Sequence, residues 1–239
     1  MSLFVLSDTH LSHINDKPMN IFGARWDNHT QKIFDAWQNT VTADDTVVIP
    51  GDISWAMSLE DAYFDLAFLD SLNGKKIISR GNHDYWWCTM KKLNAFIEEK
   101  KLESITFLHN NAVNVEDFTV CGTRGWYYEK KNAPADTDYQ KIVAREVGRL
   151  EMSINEGRTI GDGRELIVFF HFPPVYGDFV CGELVDVLQK HGVRRCWFGH
   201  IHSVYDAPEL IEHNGIEFRM ASADYLNFKP LLIQREELC

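Results

Sequence analysis

The stretch that decides the fold is Ile77-Ile78-Ser79-Arg80-Gly81-Asn82-His83-Asp84. It begins as a short apolar run, which is typical of a buried β-strand, and the run stops at a glycine. Glycine allows the backbone a turn that a side chain would obstruct. The amide, imidazole and carboxylate that follow can bind a cation or move a proton, but they are equally common in a polar surface turn. One such stretch is weak evidence of a site, so its meaning depends on the rest of the chain.

The same arrangement, an apolar strand followed at once by polar residues, recurs at four other places. The predicted strands are residues 2–7, followed by Asp8-Thr9-His10; Thr46–Pro50, followed by Gly51-Asp52; Glu165–Phe170, followed by His171; and Arg195–Phe198, followed by Gly199-His200-Ile201-His202. Helical patterns lie between them, at residues 28–39, 59–72, 86–99, 137–155 and 183–191. This alternation predicts an α/β fold with parallel strands and helices on the sheet faces. In such folds ligands bind outside the carboxyl ends of the strands, where the polar motifs are found.

Other segments are less regular. Residues 106–108, 112–115 and 118–122 have the pattern of short strands in a meander, and residues 216–221 and 230–234 that of closing strands. The glycines at positions 157, 161 and 163 indicate a turn-rich connection. Residues 11–27 are expected to form a long loop, and residues 123–136 a rim or lid. No linker or repeat is evident, which favours a single domain over residues 1–239.

Composition narrows the class of protein. The net charge of −11 opposes an extended nucleic-acid groove, and the paired lysines are scattered as on a solvated surface. The five cysteines are odd in number and form no Cys-x-x-Cys pair, which favours reduced thiols. No long apolar span and no secretory signal are recognised, so a cytoplasmic protein without a membrane span is predicted.

The strand ends together carry a set of oxygen and imidazole groups: Asp8, His10, Asp52, Asn82, His83, His171, His200 and His202. Side chains two residues apart on an extended segment lie on the same side, so Asp-x-His and His-x-His can chelate a cation. The absence of thiolate from the set suits manganese, iron or zinc. Two divalent ions that share a carboxylate would use all the ligands. Each residue also has a simpler interpretation when taken alone. An isolated aspartate could cap a helix, and an isolated histidine is more often a polar residue with ordinary hydrogen-bond partners.

The polar motifs after the five strands occur in the same order as those of the calcineurin-like metallophosphoesterase family, which the sequence resembles. The family pattern is DxH, GD, GNH[DE], a lone H, and GHxH. The matching segments here are residues 8–10, 51–52, 81–84, 171 and 199–202. The resemblance implies a four-layer α/β/β/α sandwich with a dinuclear metal site at the carboxyl ends of the strands. It implies that one metal is bound by Asp8, His10 and His202 and the other by Asn82, His171 and His200, with Asp52 as the bridge. It also implies attack of a metal-bridging hydroxide on phosphorus, with His83 as the catalytic residue that protonates or steadies the leaving oxygen.

The chain departs from many relatives at one point, because Trp55 occupies the position where they have an Asp or Asn, which orients the catalytic histidine in the protein-phosphatase branch. Ala56 follows, where that branch has a phosphate-binding arginine, which argues against a close relative of the serine/threonine phosphatases. The group that orients His83 is therefore open, and Arg124 is the candidate for binding the substrate phosphate. The leading hypothesis is a phosphohydrolase that cleaves a phosphomonoester or a small phosphodiester, with a small phosphorylated substrate as its partner. The alternatives are a catalytically silent metal-binding scaffold and a nuclease.

Overall fold

The computed structural model describes residues 1–14, 17–126 and 138–235. Its elements, in chain order, are β1 (Leu3–Val5), α1 (His29–Gln38), β2 (Thr46–Pro50), α2 (Leu59–Ser71), β3 (Lys75–Ser79), α3 (Met90–Lys100), β4 (Ile105–Phe107), β5 (Ala112–Val115), β6 (Phe118–Thr123), α4 (Tyr139–Ile160), β7 (Glu165–Phe170), β8 (Val175–Tyr176), β9 (Phe179–Val180), α5 (Gly182–Lys190), β10 (Arg195–Phe198), β11 (Ile211–His213), β12 (Ile216–Met220) and β13 (Leu231–Ile233). Two short 3₁₀ helices, Met19–Phe22 and Ala24–Trp26, precede α1.

The strands form two main sheets. The first sheet has the order β13-β1-β2-β3-β4, and the second has the order β11-β12-β10-β7-β6-β5. The four strands β1 to β4 are parallel, as are β6, β7, β10 and β12. The remaining strands of these sheets, β5, β11 and β13, are antiparallel and lie at edges. β8 and β9 pair separately.

Alternating side chains along the strands explain why the two sheets stack between helices. In β1, Leu3 and Val5 pack into a core between the sheets, whereas Phe4 packs into a core shared with α1, α2 and α3. In β7, Ile167 and Phe169 face the core between the sheets, whereas the alternate residues pack under α4 and α5. Each sheet is thus apolar on both faces, as buried parallel sheets are. The predicted four-layer α/β/β/α sandwich is confirmed.

The predicted elements differ from the structure in several places. The predicted meander is wrong, because β4 extends the first sheet beside β3 whereas β5 and β6 form a hairpin in the second sheet. α3 begins at Met90 rather than at residue 86, since the indole N–H of Trp86 is directed to the Asp84 carboxylate at 3.0 Å. The predicted rim, residues 123–136, lies mostly outside the described residues.

The prediction for Gly157 is also wrong, because this residue lies inside α4 and not in a turn. A Cβ at this position would lie 2.5 Å from the Cys121 sulfur and 3.0 Å from a methyl group of Leu166. Glycine is therefore required by the close approach of the helix to the second sheet, and it does not end the helix.

The two sheets are joined at their carboxyl edges. The amide of Ser7, just beyond β1, donates to the carbonyl oxygen of Ala221, just beyond β12, at 2.7 Å. The amide of Ala223 donates back to Ser7 at 2.9 Å. Loops that follow parallel strands of both sheets therefore open into one crevice. Among the described residues, no helix is both long and apolar enough to cross a membrane.

Candidate metal centre

Two groups of imidazole and carboxylate side chains lie in this crevice. One group is Asp8, His10 and His202, and the other is Asp52, His171 and His200. Within each group, one ligand atom from every residue lies within 4.8 Å of the others. Each residue belongs to a loop that follows a parallel strand, which is why positions far apart in sequence converge.

Asp52 connects the two groups. Its Oδ2 atom lies 3.7 Å from Nε2 of His10 and 3.5 Å from Nε2 of His171. In the first group, Nε2 of His10 and Nε2 of His202 are 3.2 Å apart. A carboxylate between two sets of imidazole nitrogens has the geometry needed to bridge two cations.

Asn82 lies beside the second group. Its Oδ1 atom is 2.7 Å from Nε2 of His171, whose Nδ1 lies 3.2 Å from the carbonyl oxygen of Pro50. A neutral imidazole carries a proton on only one of its two nitrogens, so one of these two contacts brings a nitrogen lone pair against an oxygen lone pair. A cation between them resolves this conflict.

The buried position of these side chains shifts their pKa values. Burial raises the pKa of Asp52 well above its usual range, and the neighbouring carboxylates of Asp8 and Asp84 raise it further. Burial lowers the pKa of His171 to about 3, so this ring is neutral and able to ligate. Burial also lowers the pKa of His202, but its hydrogen bonds with Asp224 and Asp8 outweigh this effect and raise the pKa to about 10. The neutral ring of His171 can ligate directly, whereas a cation bound at His202 would replace its ring proton. The donor set of oxygen and nitrogen suits manganese, iron or zinc.

The backbone of these loops is strained at the candidate ligands themselves. Asp8, His10, Asp52 and His200 have φ values of 60°, 43°, 51° and 70°, which lie in the left-handed region. Each such conformation costs on the order of 1–3 kcal/mol in a residue other than glycine. Strain at strand ends that carry polar side chains is typical of functional sites, where the surrounding structure enforces the conformation.

Asp84 holds the loops after β2 and β3 together, a role that the motif pattern did not reveal. Its buried carboxylate accepts backbone hydrogen bonds from Asp52 at 3.0 Å, Ile53 at 2.9 Å and Gly81 at 2.7 Å. A Cβ at Gly81 would collide with Asp52, so a larger residue would separate the two loops. Asp84 thereby sets the position of Asp52 without facing the cation site.

Asp224 was also missed by sequence reasoning. Its Oδ1 accepts a hydrogen bond from Nδ1 of His202 at 2.9 Å, and its Oδ2 accepts one from the amide of Ser203 at 2.9 Å. A carboxylate behind a ligating histidine fixes the ring and directs Nε2 toward the metal. The available signal was its position, just beyond the predicted closing strand at residues 216–221.

The structure places His83 at the rim of the first group. Its backbone amide donates to Oδ1 of Asp52 at 2.8 Å, and its ring centroid lies 5.8 Å from that of His10. Nδ1 lies 3.3 Å from the hydroxyl oxygen of Tyr85, and the ring packs 4.3 Å from the Trp55 ring. Tyr85 and Trp55 are therefore the side chains that position His83, and Tyr85 was not anticipated.

A cavity of about 120 Å³ opens beside His83. It is bounded by His10, His202 and Trp55, and on another side by residues of the two 3₁₀ helices, Met19, Phe22 and Trp26. The described part of the predicted long loop, residues 11–27, thus forms an apolar wall of the candidate site. A substrate group near His83 would be partly shielded from water there.

Arg124 does not line this cavity. Its guanidinium lies 5.7 Å from the ring of Phe172, and the Phe172 ring in turn packs 4.5 Å from His200. The carbonyl oxygen of Arg124 accepts a hydrogen bond from the Phe172 amide at 2.8 Å. Arg124 is therefore connected to the second group through Phe172 and is not among the residues that line the cavity of His83.

The four-layer sandwich and the imidazole and carboxylate groups at its carboxyl edge support the class of metal-dependent phosphoesterases. A model of the calcineurin-like phosphoesterase family matches residues 1–204, and the chain belongs to this family.

Solved structures resemble the chain at low sequence identity. TT1561 of Thermus thermophilus is 12% identical, with 96% of each chain covered and a TM-score of 0.56. AQ665 from Aquifex aeolicus, described as a protein of unknown function, is 18% identical over 97% of this chain and 95% of that one, with a TM-score of 0.47. No curated protein matches the sequence significantly. The likeness to TT1561 supports the fold alone.

Proposed function

We propose that the protein hydrolyses a phosphomonoester or a small phosphodiester at two divalent cations. The observation that carries this proposal is the position of Asp52, whose Oδ2 lies within 3.7 Å of imidazole nitrogens from both groups. The proposed roles are Asp8, His10 and His202 for one cation, Asn82, His171 and His200 for the other, and Asp52 for both.

Bound there, two cations would neutralise charge on the phosphoryl oxygens and lower the pKa of the attacking water. The residues of the chain orient the reaction. The Tyr85 hydroxyl and the Trp55 ring hold the imidazole of His83 at the mouth of the cavity. The ester oxygen that leaves phosphorus would take its proton from His83.

The protonation of His83 depends on the substrate. Burial and the nearby ammonium of Lys17 lower the pKa of His83 to about 4 in the metal-free protein. The Lys17 ammonium lies 3.3 Å from the centre of the Trp55 ring, on the residue that packs against His83. A bound phosphate dianion would raise the pKa of His83, so this histidine would become an effective acid only in the complex.

A small phosphorylated molecule is the proposed substrate. The cavity beside His83 measures about 120 Å³, and the net charge of −11 disfavours long nucleic acids. Arg124 is the proposed substrate-binding cation beside the second group. The free cysteines Cys88, Cys121, Cys181 and Cys196 support a reducing compartment such as the cytoplasm.

The test is hydrolysis of p-nitrophenyl phosphate and bis(p-nitrophenyl) phosphate by metal-stripped protein, with Mn²⁺, Zn²⁺ or Fe²⁺ added back. Asp52→Asn serves as the blank, and Asp44→Asn, at an exposed position, is the matched control. Activity that metal restores in the wild type and in Asp44→Asn, but not in Asp52→Asn, is the expected result. The ratio of the two rates separates monoesterase from diesterase activity.

Metal content measured on the same samples distinguishes the alternatives. Two bound ions per chain without turnover of either compound would contradict hydrolysis of these ester classes and favour the scaffold hypothesis. Full activity in Asp52→Asn would contradict the bridging role of Asp52.

A further inference from the structure

A second pocket, of about 180 Å³, shares no lining residue with the cavity of His83. Four arginines line it: Arg80, Arg124, Arg145 and Arg149. We call it the arginine pocket. This concentration of positive charge is unusual for a chain whose net charge is −11, and none of the ligand chemistry described above uses it as a whole.

The positive charge of the arginine pocket is mostly uncompensated. Arg149 pairs with Oε1 of the buried Glu146 at 2.6 Å, and the other oxygen of Glu146 accepts a hydrogen bond from Thr123 at 2.6 Å. In the described ranges, no carboxylate lies within ion-pair distance of Arg80, Arg124 or Arg145. Burial and the neighbouring guanidiniums lower the pKa of Arg124, against the effect of Glu146.

The donors of the arginine pocket are also incompletely used. The Nε–H groups of Arg80 and Arg124 are buried, and neither has a hydrogen-bond partner among residues 1–14, 17–126 and 138–235. A buried donor without a partner is unfavourable, and hydrogen bonds between guanidinium and phosphate are among the strongest in proteins. An anion with several oxygens would satisfy both groups at once.

The arginine pocket is adjacent to the candidate metal centre through two short connections. Arg80 is followed directly by Gly81 and Asn82. Arg124 reaches the second group through Phe172, whose ring packs against His200 at 4.5 Å. These two connections make it feasible for one substrate to bind at both places, which the proposal requires.

We propose that the arginine pocket binds a second, non-scissile phosphate of the substrate, so that the physiological substrate is a small molecule carrying two phosphate groups. This inference rests on the proposed function, because the first phosphate is the one hydrolysed at the cations. Arg80, Arg124 and Arg145 would bind the second phosphate, and Arg149 would be held in place by Glu146.

The kinetic test uses a ladder of α,ω-alkanediol bisphosphates, from propanediol to octanediol, beside the corresponding monophosphates. Phosphate release is measured with the metal-loaded enzyme. We expect kcat/KM for a bisphosphate of fitting length to exceed that of its monophosphate by tenfold or more. Arg80→Ala and Arg145→Ala should reduce this ratio to near one. Arg194→Ala, an exposed arginine in a different pocket, is the matched control and should keep the wild-type ratio.

A binding measurement separates failure of this inference from failure of the proposed function. Inorganic phosphate is titrated calorimetrically into metal-stripped protein at constant ionic strength. Binding that weakens at least fivefold in Arg145→Ala, but not in Arg194→Ala, supports the arginine pocket even if no ester is hydrolysed.

Two results would overturn the inference while leaving the proposed function intact. One is hydrolysis of monophosphates with no advantage for a bisphosphate of any length. The other is a bisphosphate advantage that persists in both Arg80→Ala and Arg145→Ala. Phosphate binding without any bisphosphate advantage would mean that the arginine pocket takes free phosphate rather than a substrate group.

Discussion

His83 is held by a tyrosine and a tryptophan, not by the carboxylate or amide that many relatives place three residues after the bridging aspartate. Trp55 occupies that position here, and its ring lies 4.3 Å from the His83 ring. The polar contact comes instead from the hydroxyl of Tyr85, two residues after His83, at 3.3 Å. The chain thus has a neutral hydroxyl and an aromatic ring in place of that carboxylate or amide.

The first prediction separates catalysis from metal binding. His83→Ala should lower kcat by about 10²- to 10⁴-fold, the usual contribution of a general acid, and leave metal content at the wild-type level. Tyr85→Phe should lower kcat by about fivefold, since one hydrogen bond contributes about 1 kcal/mol. Steady-state kinetics with a poor leaving group and metal analysis by mass spectrometry provide the measurements.

The double variant His83→Ala/Tyr85→Phe is the control for this prediction. If Tyr85 acts only through His83, the double variant should be no slower than His83→Ala. An additive loss would show that Tyr85 contacts the substrate independently, and full activity of His83→Ala would contradict its proposed role.

Helix α4 depends on glycine where it crosses the second sheet. A Cβ at Gly157 would meet Cys121 and Leu166, whereas a Cβ at Gly148 of the same helix would meet nothing within 4 Å. We therefore expect Gly157→Ala to lower the free energy of unfolding by about 1–3 kcal/mol through overpacking. Gly148→Ala should raise it by about 1 kcal/mol, because alanine favours the helix.

Urea unfolding of these two variants and the wild type measures both effects. Since the substitution and the helix are the same, only the local packing differs between the two sites. Equal changes in the two variants would contradict the close contact of Gly157 with β6.

Lys76 of β3 satisfies the carbonyl groups at the end of α2. Its buried ammonium donates to the carbonyl oxygens of Leu72 and Gly74, the latter at 2.7 Å, and to the hydroxyl of Ser104 at 3.2 Å. Burial lowers the pKa of Lys76 from its ordinary value of 10.5 to about 8. An unfolded chain would keep this proton up to about pH 10.5, so the unfolded state binds more protons between pH 8 and 10.5.

The third prediction follows from that difference. Raising the pH from 8 to 10.5 should stabilise the wild type relative to Lys76→Met, because the cost of a buried charge disappears as the folded protein loses the proton. Below pH 8 the cost of the charge is fully present. The measurement is the difference in free energy of unfolding between the two proteins across this range, and a constant difference would contradict the lowered pKa.

The assembly of the whole molecule brings buried carboxylates together before any cation binds. Asp8, Asp52 and Asp84 are all buried at the junction of the two sheets. Like charges at such a place destabilise the fold, and cations that bind only the folded state should offset this.

We therefore expect removal of divalent cations by a chelator to lower the Tm by about 5 °C or more. For Asp52→Asn we expect the ranking of its Tm against that of the wild type to depend on whether metal is present. It should melt below the wild type in excess Mn²⁺, because it binds the cations poorly, and at or above the wild type in chelator, because one buried charge is gone. A Tm of the wild type that is independent of metal would contradict the candidate metal centre.

Much of the fold could be predicted from local pattern. The bounds of β2, β7 and β10 agree with the predicted strands, since each is a continuous apolar run that ends in polar residues. The local sequence pattern gave a wrong prediction where a contact with a residue far away in the chain determines the structure. Gly157 resembled a turn residue because its partner, Cys121, is on another element, and the short strands β4 and β5 carry no signal that assigns them to different sheets.

Among the site residues, those placed directly at strand ends were recognised, because side-chain type and position follow from sequence alone. Asp224, Asp84 and Tyr85 were not recognised in their positioning roles. Each acts through a hydrogen bond to another residue, and that partner can be identified only when both are placed in space.

The order of apolar runs and polar strand ends is enough to establish parallel strands and to put Asp8, Asp52, Asn82, His171 and His200 at their carboxyl edge. The common crevice and the pockets around it depend on how the two sheets pack against each other. The hydrogen bonds between Ser7 and the segment after β12 bring two edges into one crevice, and the contact of Phe172 with His200 sets the arginine pocket beside it. Such contacts join residues that are far apart in the chain, so no local pattern encodes them, and only the packed molecule contains them.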